Sequence, residues 1–372
     1  MLIDIIAGAR PNFMKIAPIM DSIKKAQQEG YDIHYRLIHT GQHYDKNMSG
    51  NFFEELGIPK PDINLEAGGG TQAEQTAAIM VRYEKVLMSN KPDLVLVVGD
   101  VTSTMACSIT AKKMNNMKVA HVEAGIRSGD LTMPEEINRM VTDCITDYFF
   151  TTSANANENL NKAGIKDNRI FFVGNTMIDT LYKQMPRFKQ PLIWQTAPLK
   201  EKEYLVLTLH RPANVDDKNN LKSLIDAIVE NSNNIPIIFP VHPRTNKLLQ
   251  QIGINAANLY LTEPLSYLEF NYLVKHAKAV ITDSGGITEE TTVMHIPCIT
   301  LRDTTERPET CTIGTNELIG TNPSAIKPVL HKLFSGNWKL GQIPPLWDGK
   351  TAERIVDSLL DIFKLKNEAC LA

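Results

Sequence analysis

The stretch AVITDSGGITEE, residues 279–290, decides how the chain is read. An apolar run, Ala279 to Ile281, passes through Thr282-Asp283 into Ser284-Gly285-Gly286 and then a helical pattern. Apolar runs that are continuous rather than alternating indicate strands buried on both faces, and a strand that turns through glycine into a helix is half of a βαβ unit. The two glycines let backbone N–H groups approach a phosphate closely, the helix start favours an anion, and Ser284 adds a hydroxyl. Glu289 and Glu290 lie in the first turns of that helix, where a carboxylate can accept hydrogen bonds from both hydroxyls of a ribose. A capped helix start with nothing bound accounts for Ser284 and Glu289, but not for the glycine pair.

The same unit recurs on both sides of this stretch. In the second half, strands are expected at 204–210, 235–242, 258–262 and 298–302, with helices around 218–231, 266–276, 286–294 and 323–334. In the first half, strands are expected at 2–7, 33–39, 93–99, 118–123, 147–152 and 169–174, with helices around 13–28, 72–89, 103–115, 135–145 and 155–163. This alternation predicts an α/β protein of two Rossmann-like, doubly wound domains, 1–175 and 176–348. The segment 184–203, with Pro186, Pro191 and Pro198, reads as a linker, and the C-terminal helix of about 349–372 is expected to pack back on the first domain. Two such domains facing each other across a cleft would place their strand ends, and any ligand, in that cleft.

At 372 residues the chain suits two domains, and its 43% apolar and 22% charged residues are ordinary for a globular protein. A formal net charge of −3 argues against a general nucleic-acid binder. Cys107, Cys144, Cys298, Cys311 and Cys370 form no C-x-x-C pair, and an odd number suits no disulfide framework. No apolar run is long enough to span a membrane, and MLIDIIAGARPNFMK lacks the marks of a signal peptide, so a cytoplasmic location is expected.

Polar residues just after strands carry the weight. Gly8, Pro11, Arg10 and Lys15 gather after the first strand as a diphosphate cradle or a solvated basic pair; neither G-x-x-x-x-G-K-[ST] nor G-x-G-x-x-G is present. Asp100 follows DLVLVVG and either caps the next helix or works as an acid or base. Glu123 ends HVE, where it makes a poor cap, and Glu135 and Glu136 follow Pro134, where negative charge also suits a helix start. Convergent carboxylates raise one another's pKa and can supply both base and acid near neutral pH. No metal-ligand spacing accompanies them. His210 and Arg211, then His242 and Arg244, follow successive strands of the second half, and Arg302–Glu309 crowds charge after another.

GARPNFMK, TGQHYD, VVGDVTST, HVEAGIRSGD, MPEEINR, TLHRPANV, PVHPR, TDSGGITEE and RDTTERPE together resemble the non-hydrolysing UDP-N-acetylglucosamine 2-epimerases, in order from about residue 5 to residue 310. The resemblance implies the GT-B arrangement of two Rossmann-like domains. It also implies elimination of UDP from UDP-N-acetylglucosamine to a 2-acetamidoglucal, followed by re-addition to give UDP-N-acetylmannosamine. No cofactor is implied, since the chemistry is acid–base work at C2 with a leaving diphosphate. By position, Asp100, Glu123, Glu135 and His210 carry catalysis, with base and acid left unassigned among the carboxylates. Arg10, Lys15, Ser284, Gly285 and Gly286 match the diphosphate contacts, Phe270 the uracil packing residue, Glu290 the ribose ligand and Arg307 a further substrate-site arginine. A homodimer is implied, with a UDP-sugar as the small-molecule partner.

The chain departs from the pattern in three places. The stretch before PEE, SGDLTM, is shorter; HRPAN stands where many members read HRREN; and LEAGGGTQ lacks the arginine of the pocket through which substrate activates many bacterial members. Gln42 and His43 match the glutamine–histidine segment of that second pocket, Arg211 and His242 are candidates to line it or the cleft, and activation of the usual kind is not expected. The shorter loop keeps UDP-diacetamido-uronic acids open as substrates, and a hydrolysing 2-epimerase remains an alternative. A GT-B glycosyltransferase fits three carboxylates near one sugar carbon poorly.

Overall fold

The computed structural model describes residues 1–41, 55–114, 116–241, 243–254 and 256–367, without the side chains of Arg10, Pro243, Arg244 and Lys247. The chain divides into two compact units, Met1–Lys183 with Pro345–Ala372, and Gln184–Pro344.

Among the described residues the first unit carries seven parallel strands: β1 (Leu2–Ala7), β2 (His34–His39), β3 (Ile63–Asn64), β4 (Leu94–Val98), β5 (Lys118–Val122), β6 (Tyr148–Thr151) and β7 (Ile170–Phe172), ordered β3-β2-β1-β4-β5-β6-β7. All five residues of β4, LVLVV, are buried, as a strand covered on both faces requires. Helices α1 (Arg10–Gln28), α2 (Gln72–Ser89), α3 (Thr102–Lys113), α4 (Pro134–Ile145), α5 (Ala154–Lys162) and α6 (Thr176–Gln184) alternate with the strands. Ile6, Ile38, Tyr83, Val95, Val97 and Val119 form one of its cores. The order reverses between β1 and β4, which is where a doubly wound sheet opens a crevice.

All of α6 but its last residue belongs to this unit, so the division falls later than residue 175. The returning C-terminal segment is tied to the first unit at several points. Trp347 Nε1 donates to Thr152 O at 3.0 Å, and Asp179 accepts from Thr351 N and Ala352 N at 3.1 and 2.7 Å, capping the helix Thr351–Ile362. A side chain at Gly174, φ 102°, would stand 2.1 Å from Leu346 O, so only glycine lets that segment lie there.

Among the described residues the second unit carries six parallel strands: β8 (Leu205–Thr208), β9 (Ile237–Pro240), β10 (Leu259–Thr262), β11 (Ala279–Thr282), β12 (Cys298–Thr300) and β13 (Asn316–Leu318), ordered β10-β9-β8-β11-β12-β13. Its order reverses between β8 and β11. Leu207, Ile225, Phe239, Ile281 and Ile299 sit in its core. Among the described residues no helix is long and apolar enough to cross a membrane.

Candidate functional site

In the first unit, chemistry-bearing side chains collect where β1, β4 and β5 end. Asn12 ties two of those ends together: its Oδ1 accepts from Gly8 N and Ala9 N at 3.1 and 3.0 Å, and its Nδ2 donates to Val98 O at 2.9 Å. Almost one helical turn on, Lys15 Nζ lies 2.6 Å from Glu123 Oε2. Gly99 has φ 67°, and a Cβ placed on it would stand 3.4 Å from Lys15 Nζ and 3.6 Å from Glu123 Oε2. Register pairs Val98 with Val122, so the turns carrying Asp100 and Glu123 leave the sheet side by side.

Asp100 does not cap α3. Val101 is the N-cap, with no side-chain bond, and the Asp100 carboxylate instead accepts from Arg139 Nε at 3.0 Å and Nη2 at 2.5 Å. Its side chain keeps 30% exposure. Glu123 is buried and has φ 70°. A left-handed backbone on a residue other than glycine costs of order 1–3 kcal/mol and persists only where its surroundings hold it.

The two glutamates at the start of α4 part company. Glu135 is exposed, whereas Glu136 is buried and binds Ser128 N, Gly129 N and Arg139 Nη1 at 3.0, 3.0 and 2.6 Å. Burial opposes its ionisation, but those N–H donors and the Arg139 guanidinium outweigh burial and hold its carboxyl below the usual range. Arg139 therefore joins Glu136 to Asp100, and Glu135 stands one residue from that junction.

In the second unit, buried Asp283 organises the turn after β8. It accepts from His210 N, Arg211 N and Asn214 Nδ2 at 3.0, 2.9 and 3.1 Å, and His210 Nδ1 lies 2.7 Å away. Burial opposes the Asp283 charge, but His210 and the other donors outweigh it and lower the carboxyl's pKa. The bond fixes the ring through Nδ1 and leaves Nε2 on its far side, with the side chain 63% exposed. Arg211 Nε donates to Asp283 O at 2.9 Å, tying it to the same turn.

Helix α12 in chain order, Gly285–Val293, follows β11 directly once Ile193–Thr196 (α7), Pro212–Val215 (α8), Lys218–Glu230 (α9), Pro243–Gln251 (α10) and Tyr267–His276 (α11) are numbered. Ser284 is its N-cap but makes no side-chain cap bond, which leaves the hydroxyl out of the helix start. A Cβ on Gly285 would stand 2.5 Å from Glu306 Oε1, whereas one on Gly286 would meet nothing within 4 Å. Glu306 pairs with Arg302 at 2.6 Å, and Arg307 pairs with Glu289. Burial raises Glu306, but Arg302 and then Arg307 outweigh it and hold the carboxyl at about 2. Glu290 accepts from Tyr267 OH at 2.7 Å. Burial pushes it up to about 7; the tyrosine bond works against that rise and the neighbouring Glu289 charge adds to it. Phe270 packs against the core that holds Tyr204, Val206 and Leu273.

The structure thus brings Lys15, Asp100 and Glu123 together in one unit, and Ser284–Gly286, Glu290 and Arg307 around one helix start in the other. Gln42, His43 and His242, and the side chain of Arg10, lie outside the described residues. Among the described residues no group of His, Cys, Asp and Glu is placed to hold a metal ion. Sequence reasoning missed Arg139, Asp143, His121 and Asp283. The spacing of Glu136 and Arg139 on one helix face was the available signal for the first.

A sequence profile described as UDP-N-acetylglucosamine 2-epimerase matches residues 24–360. The UDP-N-acetylglucosamine 2-epimerase of Methanocaldococcus jannaschii is 41% identical over 370 residues, covering 96% of this chain and 98% of that protein. Its crystal structure in complex with UDP-GlcNAc and UDP superposes with a TM-score of 0.85, covering 97% of this chain and 100% of that one. The UDP-2,3-diacetamido-2,3-dideoxy-D-glucuronate 2-epimerase of Pseudomonas aeruginosa is 39% identical over 318 residues, covering 85% of this chain and 87% of that protein.

Proposed function

The chain belongs to the UDP-N-acetylglucosamine 2-epimerase family, and from that premise we propose that it interconverts UDP-N-acetylglucosamine and UDP-N-acetylmannosamine without a cofactor. A carboxylate takes the C2 proton as the C1–O bond breaks, and the bonding pair leaves with the UDP oxygen, giving a 2-acetamidoglucal. UDP adds back at C1, and C2 receives a proton on the opposite face. The observation that carries this reading is the pairing of Asp100 and Glu123 at adjacent strand ends, each given a cation, Arg139 and Lys15.

Asp100, Glu123 and Glu135 supply the acid–base groups in this reading, with His210 Nε2 donating to the departing diphosphate. Lys15, Arg10, Ser284, Gly285, Gly286 and Arg307 hold the diphosphate, Glu290 the ribose and Phe270 the uracil. A buried carboxylate that accepts from one tyrosine hydroxyl suits a ligand that brings hydroxyls of its own. The protein works in the cytoplasm as a homodimer; light scattering reads the second of these.

Incubation with UDP-N-acetylglucosamine in deuterated water tests the reaction. Deuterium at C2 together with UDP-N-acetylmannosamine supports it. Free N-acetylmannosamine replaces it with the hydrolysing reaction, and absence of exchange overturns both. The similarity to the P. aeruginosa protein makes UDP-2,3-diacetamido-2,3-dideoxy-D-glucuronate the second substrate to assay.

A further inference from the structure

His121 lies on β5, wholly buried, two residues before Glu123. Its Nε2 is 2.8 Å from Gly99 O and its Nδ1 is 2.8 Å from Asp143 Oδ1. A carbonyl oxygen can only accept, so Nε2 donates. Asp143 is an acceptor as well: its other oxygen takes Gly125 N at 3.1 Å and Arg127 Nη1 at 2.6 Å. Burial opposes the Asp143 charge, but His121 and Arg127 outweigh it and lower its pKa. Both ring nitrogens of His121 therefore face acceptors, one on each side of the ring.

A structural histidine in a core needs only one acceptor on either nitrogen. Here each bond reaches a turn that carries a candidate carboxylate. Gly99 O belongs to the residue just before Asp100, and Gly125 N lies two residues after Glu123. Asp143 is also one helical turn beyond Arg139 on α4, and Arg139 grips the Asp100 side chain. The left-handed backbone at Glu123, φ 70°, lies inside this brace, between His121 and Gly125. Gly125, φ 76°, is closely approached: a Cβ there would stand 2.4 Å from Ala156 O, so the turn admits only glycine.

We propose that His121, doubly hydrogen-bonded between Gly99 O and Asp143, is a positioning residue that sets the spacing of the Asp100 and Glu123 carboxylates. The inference rests on the assignment of those two groups to the chemistry at C2. Two faces of one carbon must be served in turn, and misplacing a reacting group by 1 Å can cost about 100-fold. His121 touches no substrate in this scheme; it acts through the two turns.

The test compares wild type with His121→Gln, His121→Asn and Arg127→Gln. Gln restores a donor near Gly99 O, whereas Asn restores one near Asp143. The readouts are kcat, KM, UDP affinity by calorimetry, and the ratio of C2 deuterium in recovered UDP-N-acetylglucosamine to that in UDP-N-acetylmannosamine. A smaller folded fraction lowers rates without moving that ratio; a shift of one carboxylate against the other moves it. The expected result is a kcat about 10- to 100-fold lower in His121→Asn, with UDP affinity kept, the ratio changed, and part of the rate recovered in His121→Gln. In wild type, ring ¹⁵N spectra should show protons on both His121 nitrogens. An unchanged ratio in every folded variant, or a ring with one bare nitrogen, overturns the proposal. Should the His121 variants fail to fold, Arg127→Gln decides, because Arg127 is partly exposed and pairs with Asp143; a wild-type ratio there overturns the proposal. Failure of wild type to exchange the C2 proton at all removes the epimerase reading instead.

Discussion

Glu123 and Glu290 are both nearly inaccessible carboxylates beside the carboxyl edge of a parallel sheet, and their partners differ in kind. Glu123 faces a lysine at 2.6 Å; Glu290 faces a tyrosine hydroxyl at 2.7 Å and has another glutamate beside it. The first carboxylate sits in a set of charge pairs, Lys15–Glu123, Arg139–Asp100 and Arg139–Glu136, that fixes geometry. The second is left near neutrality, at about 7, where a ligand can decide its state. In the proposed reading, one unit is braced for proton transfer, and the other holds a carboxylate in reserve for hydroxyl groups.

The largest expected effect breaks the first side of this comparison. Glu123→Gln keeps the shape of the side chain and removes its charge, so C2 exchange should fall by about 10³-fold while UDP affinity stays within error. NMR in deuterated water and calorimetry with UDP read the two quantities. Exchange near the wild-type rate would remove Glu123 from the chemistry.

Next come the neighbours Glu135 and Glu136. Removing the Glu136 charge leaves Arg139, itself buried, short of one partner, and breaking such a pair costs about 3 kcal/mol. Glu136→Gln should therefore lower the melting temperature by several degrees. Glu135→Gln, at an exposed position, should leave stability within about 0.5 kcal/mol and reduce exchange about 100-fold. The reverse pattern would move the chemistry from Glu135 to Glu136.

The strands were legible because β4 is an uninterrupted apolar run and β1 and β8 are mostly apolar rather than alternating, which a doubly covered sheet rewards. β13 escaped because Asn-Glu-Leu carries no apolar run, and α10 because Pro-Arg-Thr-Asn-Lys opens on polar residues. Asp100, Glu123 and the Ser284–Gly286 turn were visible because each stands directly after a strand. Arg139 and Asp143 were not, since their role depends on how α4 docks against two turns, and periodicity says which face is apolar rather than which polar group meets which turn. Asp283 was quoted within its motif, yet its hold on His210, Arg211 and Asn214 spans about 70 residues of chain and has no local signature.

The second side of the comparison is tested by pH. If ribose hydroxyls donate to Glu290, UDP binds the ionised form, so affinity should rise between about pH 6 and pH 8 and lose that slope in Glu290→Gln. Stability should move in the opposite sense. The folded protein keeps this proton up to about pH 7, whereas an unfolded glutamate gives it up near 4.5, so the contribution of Glu290 declines as pH rises between those values. Thermal melts of wild type and Glu290→Gln over that window, without ligand, check the sign; a parallel pair of curves would mean the group is ionised throughout.

The smallest effect separates the two glycines of the helix start. A methyl group at Gly285 would press on Glu306 Oε1, and Glu306 is held by Arg302, so Gly285→Ala must move a buried ion pair and should destabilise by about 1–3 kcal/mol. A methyl group at Gly286 meets nothing within 4 Å, and alanine in a helix is better than glycine by up to about 1 kcal/mol, so Gly286→Ala should be neutral or slightly stabilising. The empty space at Gly286 is then explained by what enters it. If the diphosphate lies against that backbone, Gly286→Ala weakens UDP binding in a protein that is no less stable, a combination that no folding defect produces. Unchanged UDP affinity in Gly286→Ala would place the diphosphate elsewhere and leave Gly285 alone as the residue the turn requires, for a reason that concerns Glu306 and not the ligand.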